Sequence, residues 1–204
     1  MDYRAIQNET IELLLDYGIN RVPIDVESLM DKMGIIRVPY RKLSERGIEL
    51  SQKCAKDGYY DFDHETLTFY IYYDGTKGKT RLKFTYGHEI RHIIHMDKYE
   101  DKDIRVKANY FSRFLLVPVP LLIETGVSNE SELIYVFDVS PDVAKYSLDF
   151  LKWHKSDFEN YTENDKELLD LFADEIKRCK NDLIDYRERM NIPDFFEELY
   201  IEEN

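Results

Sequence analysis

An α+β fold is what the sequence predicts, and three observations predict it. Apolar residues recur at helical spacing through both ends of the chain. A run of β-type alternation lies between Asp57 and Tyr73. Directly after it, residues 87–95 read GHEIRHIIH, three histidines at helical spacing. The chain has 204 residues, 43% hydrophobic and 34% charged, with few glycines and prolines; this length and composition suit a folded core with an appendage rather than a disordered or fibrous protein.

Tyr3, Ile6, Thr10, Leu13, Leu14 and Tyr17 form the first helical stripe, and Gly18 is placed to end it in the left-handed conformation. Asp25 caps a short helix through Met33, Gly34 stops it, and Ile35 to Val38 form a brief strand. Residues 41–56 give no clear pattern. DGYYDF and TLTFYIYY, joined through Asp63-His64-Glu65, read as a hairpin, and the second strand offers a possible edge to an extended peptide. After DGTKGK, Thr80 or Thr85 opens a helix whose apolar side is Leu82, Ile90, Ile93 and Ile94. Asp103 to Val117 is a further helix with Ala108, Phe111, Phe114 and Leu115 inward, stopped by Pro118 and Pro120. Residues 130–137 and 141–153 outline a helix-turn-helix, and Leu168, Phe172, Ile176, Cys179, Leu183 and Tyr186 keep a helical stripe through the acidic end of the chain. The segments expected are a core over 1–126, a small helical segment over 127–155 and an acidic helical extension over 156–204.

The formal charge is −13. Nucleic-acid affinity rests on Lys and Arg neutralising phosphates, so this charge argues against direct nucleic-acid binding, and Glu130, Glu132, Asp138, Asp142 and Asp149 argue against it again within the helix-turn-helix outline. The last 50 residues hold sixteen acidic and seven basic side chains, a face suited to a basic partner. Cys54 and Cys179 are far apart and fit neither a disulfide framework nor a thiolate zinc site; both are expected to be buried thiols. The first residues lack the basic start and apolar stretch of a secretory signal, and no run approaches the roughly 18 apolar residues of a membrane span. The expected location is cytoplasmic.

HEIRH is an H-E-x-x-H pattern. Residues four apart stand about 6 Å along one helix face, so His88 and His92 can direct their ring nitrogens to one zinc ion at about 2.0–2.1 Å. Glu89 lies about 100° round the helix, outside the ligand set, where a carboxylate can act as general base on a zinc-bound water. The chemistry expected is amide hydrolysis. His95, about 10 Å along the axis from His88, is expected to pack or to support a ligand from behind. Tyr86, the Trp153-His154 pair and His64 read as a core residue, packing residues and a solvated residue.

The order PIDVESLMDKMGIIRV (23–38), DGYYDF with TLTFYIYY, RLKFTYGHEIRHIIH and ANYFSRFLLVP (108–118) resembles the ImmA/IrrE family of zinc-dependent metallopeptidases over roughly residues 5–155. That resemblance implies a zincin-like fold, one Zn2+ held by His88 and His92, and Glu89 as catalytic base. It further implies a helix-turn-helix repressor as the protein cleaved and a prophage or other mobile element as the source. The family's third ligand is a glutamate before Ala-Asn, where this chain has Lys107. Asp103, one turn earlier, is the replacement expected to ligate the metal; Glu100 or Asp101 are alternatives. Without any of them the same fold is a binding module that has lost its third ligand.

Overall fold

A computed structural model describes residues 1–96, 102–158 and 160–190. Helix α1 (Tyr3–Asp16) begins where the Asp2 carboxylate accepts the Ala5 N–H at 3.0 Å. It ends at Gly18, whose φ of +57° lets the Ile19 N–H return to the Leu14 carbonyl. Helix α2 (Val26–Lys32) is capped by Asp25 and leads into strand β1 (Ile36–Pro39). The unpatterned stretch contains helix α3 (Glu45–Cys54), started by Ser44, whose hydroxyl accepts the Gly47 N–H. Helix α3 is short and mostly exposed, and Ile48 and Leu50 are its only aliphatic side chains, too few to mark it in the sequence. Cys54, at its end, is exposed rather than buried; Cys179 is buried as expected.

Strands β2 (Gly58–Asp63) and β3 (Thr68–Tyr73) form the expected hairpin. The Asp63 carboxylate organises its turn by accepting the Glu65 N–H and the Thr66 hydroxyl, each at 2.8 Å. β1 runs parallel to β3 on the other side, pairing Ile36 with Tyr70 through Pro39 with Tyr73. The order is β1-β3-β2, so the strand ending at Tyr73 is central and β1 and β2 are the two edges, β2 being the one beside the motif helix. The expected edge is thereby displaced by one strand: sequence alternation cannot show that β1 closes the far side of β3.

Helix α4 (Lys79–His95) starts at Gly78; neither Thr80 nor Thr85 caps it, and the Thr85 hydroxyl turns back to the Arg81 carbonyl. Two glycines set how closely α4 is held. A Cβ on Gly87 would stand 2.7 Å from Ser112 Oγ and 3.2 Å from Ser112 Cα on helix α5 (Lys102–Leu116). One on Gly58 would stand 2.7 Å from Thr85 Cγ2 and 3.0 Å from the Tyr72 carbonyl. Ser112 also donates to the Phe84 carbonyl at 2.7 Å, bonding the two helices where they approach. Ile90 and Ile93 are buried, whereas Ile94 is 43% exposed, beyond the apolar side the periodicity assigned it. On α5 all four inward residues expected from spacing are buried.

Helices α6 (Val119–Thr125), α7 (Glu130–Phe137) and α8 (Pro141–His154) follow. A stretch of 18 residues within Lys102–Thr125 has the length and mean hydropathy, 1.2, to cross a membrane, but two-thirds of that stretch is buried inside the protein, as in a core helix. Asp138, in the left-handed conformation between α7 and α8, accepts from Lys83 of α4 at 2.5 Å. The acidic end forms α9 (Glu163–Leu171) and α10 (Ala173–Met190), which fold back onto the rest. Arg4 pairs with buried Asp165, and Arg187 grips buried Glu132 through Nε and Nη2, each at 2.8 Å. One apolar cluster runs from Ile6 to Leu183.

Candidate metal and peptide site

The motif lies in the second half of α4, with one side against α5 and the other against β2. Within the motif, His88 and His92 turn their rings toward each other, with the two Nε2 atoms 3.1 Å apart. Two nitrogens each about 2.0–2.1 Å from one tetrahedral ion would stand roughly 3.3 Å apart, so the pair matches two of the four positions of a zinc ion. Asn109 of α5 supports it from behind: His88 Nδ1 lies 2.9 Å from Asn109 Oδ1. An amide oxygen accepts only, so this contact places the proton on Nδ1 and leaves the Nε2 lone pair directed at His92. Burial pushes the His88 pKa down to about 4; the Asn109 bond opposes this, and the charges of Arg105 and Arg91 lower it further. His88 is therefore neutral at pH 7, the form that ligates a metal.

Glu89 is buried, and its Oε2 accepts the Tyr60 N–H from edge strand β2 at 3.1 Å. The Tyr60 ring stacks on His92 with centroids 6.3 Å apart. These contacts join the hairpin, the candidate base and one candidate ligand. A cleft of about 1100 Å³ opens between α3, β2, α4 and α5, with His88, Glu89, Arg105 and Asn109 on its wall. Leu43, Leu50, Tyr59, Tyr72 and Phe84 give it apolar and aromatic surface.

Arg105 and Asn109 lie four apart and share the α5 face that meets the histidines. Lys107 is about 200° round the helix from both and is exposed. Asp103 is also exposed, in the first turn, and does not line the cleft. The structure thus brings His88, Glu89 and His92 together but does not add Asp103 to them. Among the described residues, no set of three His, Cys, Asp or Glu side chains is gathered to hold a metal. Glu100 and Asp101 lie outside the described residues. The side chain facing the pair from α5, one turn before Asn109, is a guanidinium.

The remaining histidines stand elsewhere. His95 meets Glu9 of α1 at 3.1 Å, and His64 sits against Phe62 in the hairpin turn. Tyr86 is buried edge-on to Tyr73. His154 stacks on Phe150 while Trp153 is 75% exposed. The parts played by Tyr60, Arg105 and Asn109 are not evident in the sequence. Arg105 and Asn109 are a polar pair at i,i+4, but Lys102, Asp103, Lys107, Ser112 and Arg113 are polar on the same helix, and nothing local shows which face meets the histidines. The sequence matches no protein-family model and no curated protein.

Proposed function

We propose that the chain is a zinc-dependent endopeptidase of the ImmA/IrrE type, acting in the cytoplasm on an extended segment of a helix-turn-helix repressor or similar regulatory protein encoded with it on a mobile element. The observation that carries this reading is the convergence of the His88 and His92 Nε2 atoms, 3.1 Å apart, with Glu89 beside them on the wall of a cleft bordered by an edge strand. The partner, source and location rest on the motif resemblance; the reaction class rests on the residues.

The nitrogen pair fits a zinc ion as two of its ligands. When bound, zinc supplies Lewis acidity toward water and toward a carbonyl oxygen. The chain's own residues supply the rest. Asn109 fixes the His88 tautomer, and Tyr60 fixes the His92 ring by stacking. The Glu89 carboxylate takes the proton of an attacking water at Oε and passes it to the departing amide nitrogen. The outward edge of β2 offers backbone partners to an extended peptide, and the apolar cleft wall offers pockets for its side chains.

A second reading, a peptide-binding module that does not cut, is favoured by Arg105. A fixed positive charge beside the histidines opposes a cation and cannot ligate it. Elemental analysis and zinc titration separate the two. The peptidase reading expects one equivalent of zinc, lost in His88→Ala, and cleavage of the repressor encoded beside it, lost in Glu89→Gln. A chain that takes up no zinc yet binds that repressor equally well as wild type and as Glu89→Gln is the binding module.

A further inference from the structure

The cleft is less acidic than the molecule around it. The whole chain is strongly acidic, whereas the cleft wall sets four cations, Lys53, Lys56, Arg81 and Arg105, beside three carboxylates, Asp57, Asp61 and Glu89. Arg81 is bound to Asp57 and Lys53 to Glu49, each at 2.6 Å. Lys56 and Arg105 make no hydrogen bond or ion pair with any described residue, and of the two it is Arg105 that shares the α5 face of Asn109, the residue bonded to His88. A guanidinium presents a planar fork of donors that matches a carboxylate in a two-point contact, and the wall of a cleft is where an extended segment would bring one.

We infer that Arg105 is the specificity-determining residue of the cleft, and that the segment bound there carries an aspartate or glutamate close to the bond lying over His88 and Glu89. This rests on the cleft being a peptide site, as in the proposed function. The acidic exterior repels an acidic segment at a distance, so the selection is a contact effect exerted within the cleft. Long-range attraction does not contribute to it. Asn109, on the same helix face, is committed to His88, which leaves Arg105 as the α5 side chain available to the ligand.

The test uses the full chain as Glu89→Gln, which keeps an acceptor for the Tyr60 N–H, in the presence of EDTA. A displayed library of random twelve-residue peptides is selected on it, and on the same chain carrying Arg105→Gln or Arg105→Glu; both changes lie on an exposed position outside the core. Asp or Glu should be enriched about tenfold or more at one peptide position, a contrast typical of a charged hydrogen-bonded pair. Arg105→Gln should abolish that enrichment, and Arg105→Glu should replace it with Lys or Arg. Enriched peptides with no acidic position, or an acidic preference that survives Arg105→Gln, overturns the role of Arg105 and leaves the cleft as a peptide site. If no sequence is enriched on any of the three chains, the peptide site falls and the inference falls with it.

Discussion

At the scale of single residues, the site depends on side chains that orient others. Asn109 touches no reacting atom, but its Oδ1 decides which nitrogen of His88 faces His92. Asn109→Ala should therefore weaken zinc binding by about 10–100-fold, the usual range for losing such a supporting bond, with little change in thermal unfolding of the metal-free chain. Zinc titration followed by calorimetry reads both. The reverse change is available at Arg105: Arg105→Glu puts a carboxylate on the α5 face that meets the histidines and removes a positive charge there, so it should tighten zinc binding relative to wild type. Equal or weaker affinity would show that this face is too distant to contribute a ligand. The H-E-x-x-H triad was legible in the sequence because its three members lie within about one helical turn. Arg105 and Asn109 were not, because their part in the site comes from a helix crossing seventeen and twenty-one residues away along the chain, which no local periodicity records.

At the scale of elements, the crossing of α4 and α5 is held by the absence of a side chain at Gly87. Alanine there gains about 1 kcal/mol of helix propensity but must push against the Ser112 backbone as well as its hydroxyl. Overpacking of this kind costs about 1–3 kcal/mol, so Gly87→Ala should be neutral to destabilising in denaturant and should loosen zinc binding by moving Asn109 off His88. Affinity falling more than stability is the distinguishing result. Asp25, Gly18 and Gly34 were legible because they act on backbone within a turn of themselves, whereas the start of α4 at Gly78, which has no side chain to cap with, was not. The sheet edge was not, because strand order depends on how β1 returns to β3, a pairing more than thirty residues apart along the chain.

At the scale of the whole molecule, the acidic end of the chain is tied in by ion pairs across the fold. Burial alone would raise the Glu132 pKa, but Arg187 and the Ser128 N–H and hydroxyl outweigh it and hold the carboxyl below its ordinary value of 4.5. A depressed carboxyl stabilises the fold fully above its unfolded pKa and loses that contribution as pH falls through its folded value, so this one is complete at pH 7 and lost in the window below about pH 4.5. Arg187→Ala leaves the buried carboxylate with only Ser128 and should cost about 3 kcal/mol at pH 7, with a smaller loss below pH 4. Denaturant midpoints of both chains across that range check the sign. That a charged stretch folds onto the core was readable from its apolar stripe; its break into α9 and α10 at Phe172 was not, since both helices continue the same spacing.

Among the described contacts, the Tyr60 N–H joins the edge strand to Glu89, and an incoming strand would contest it. Any backbone carbonyl that zips onto β2 at Tyr60 must claim the N–H that Glu89 now holds. A visitor at the strand would therefore compete with the Glu89 carboxylate for that donor.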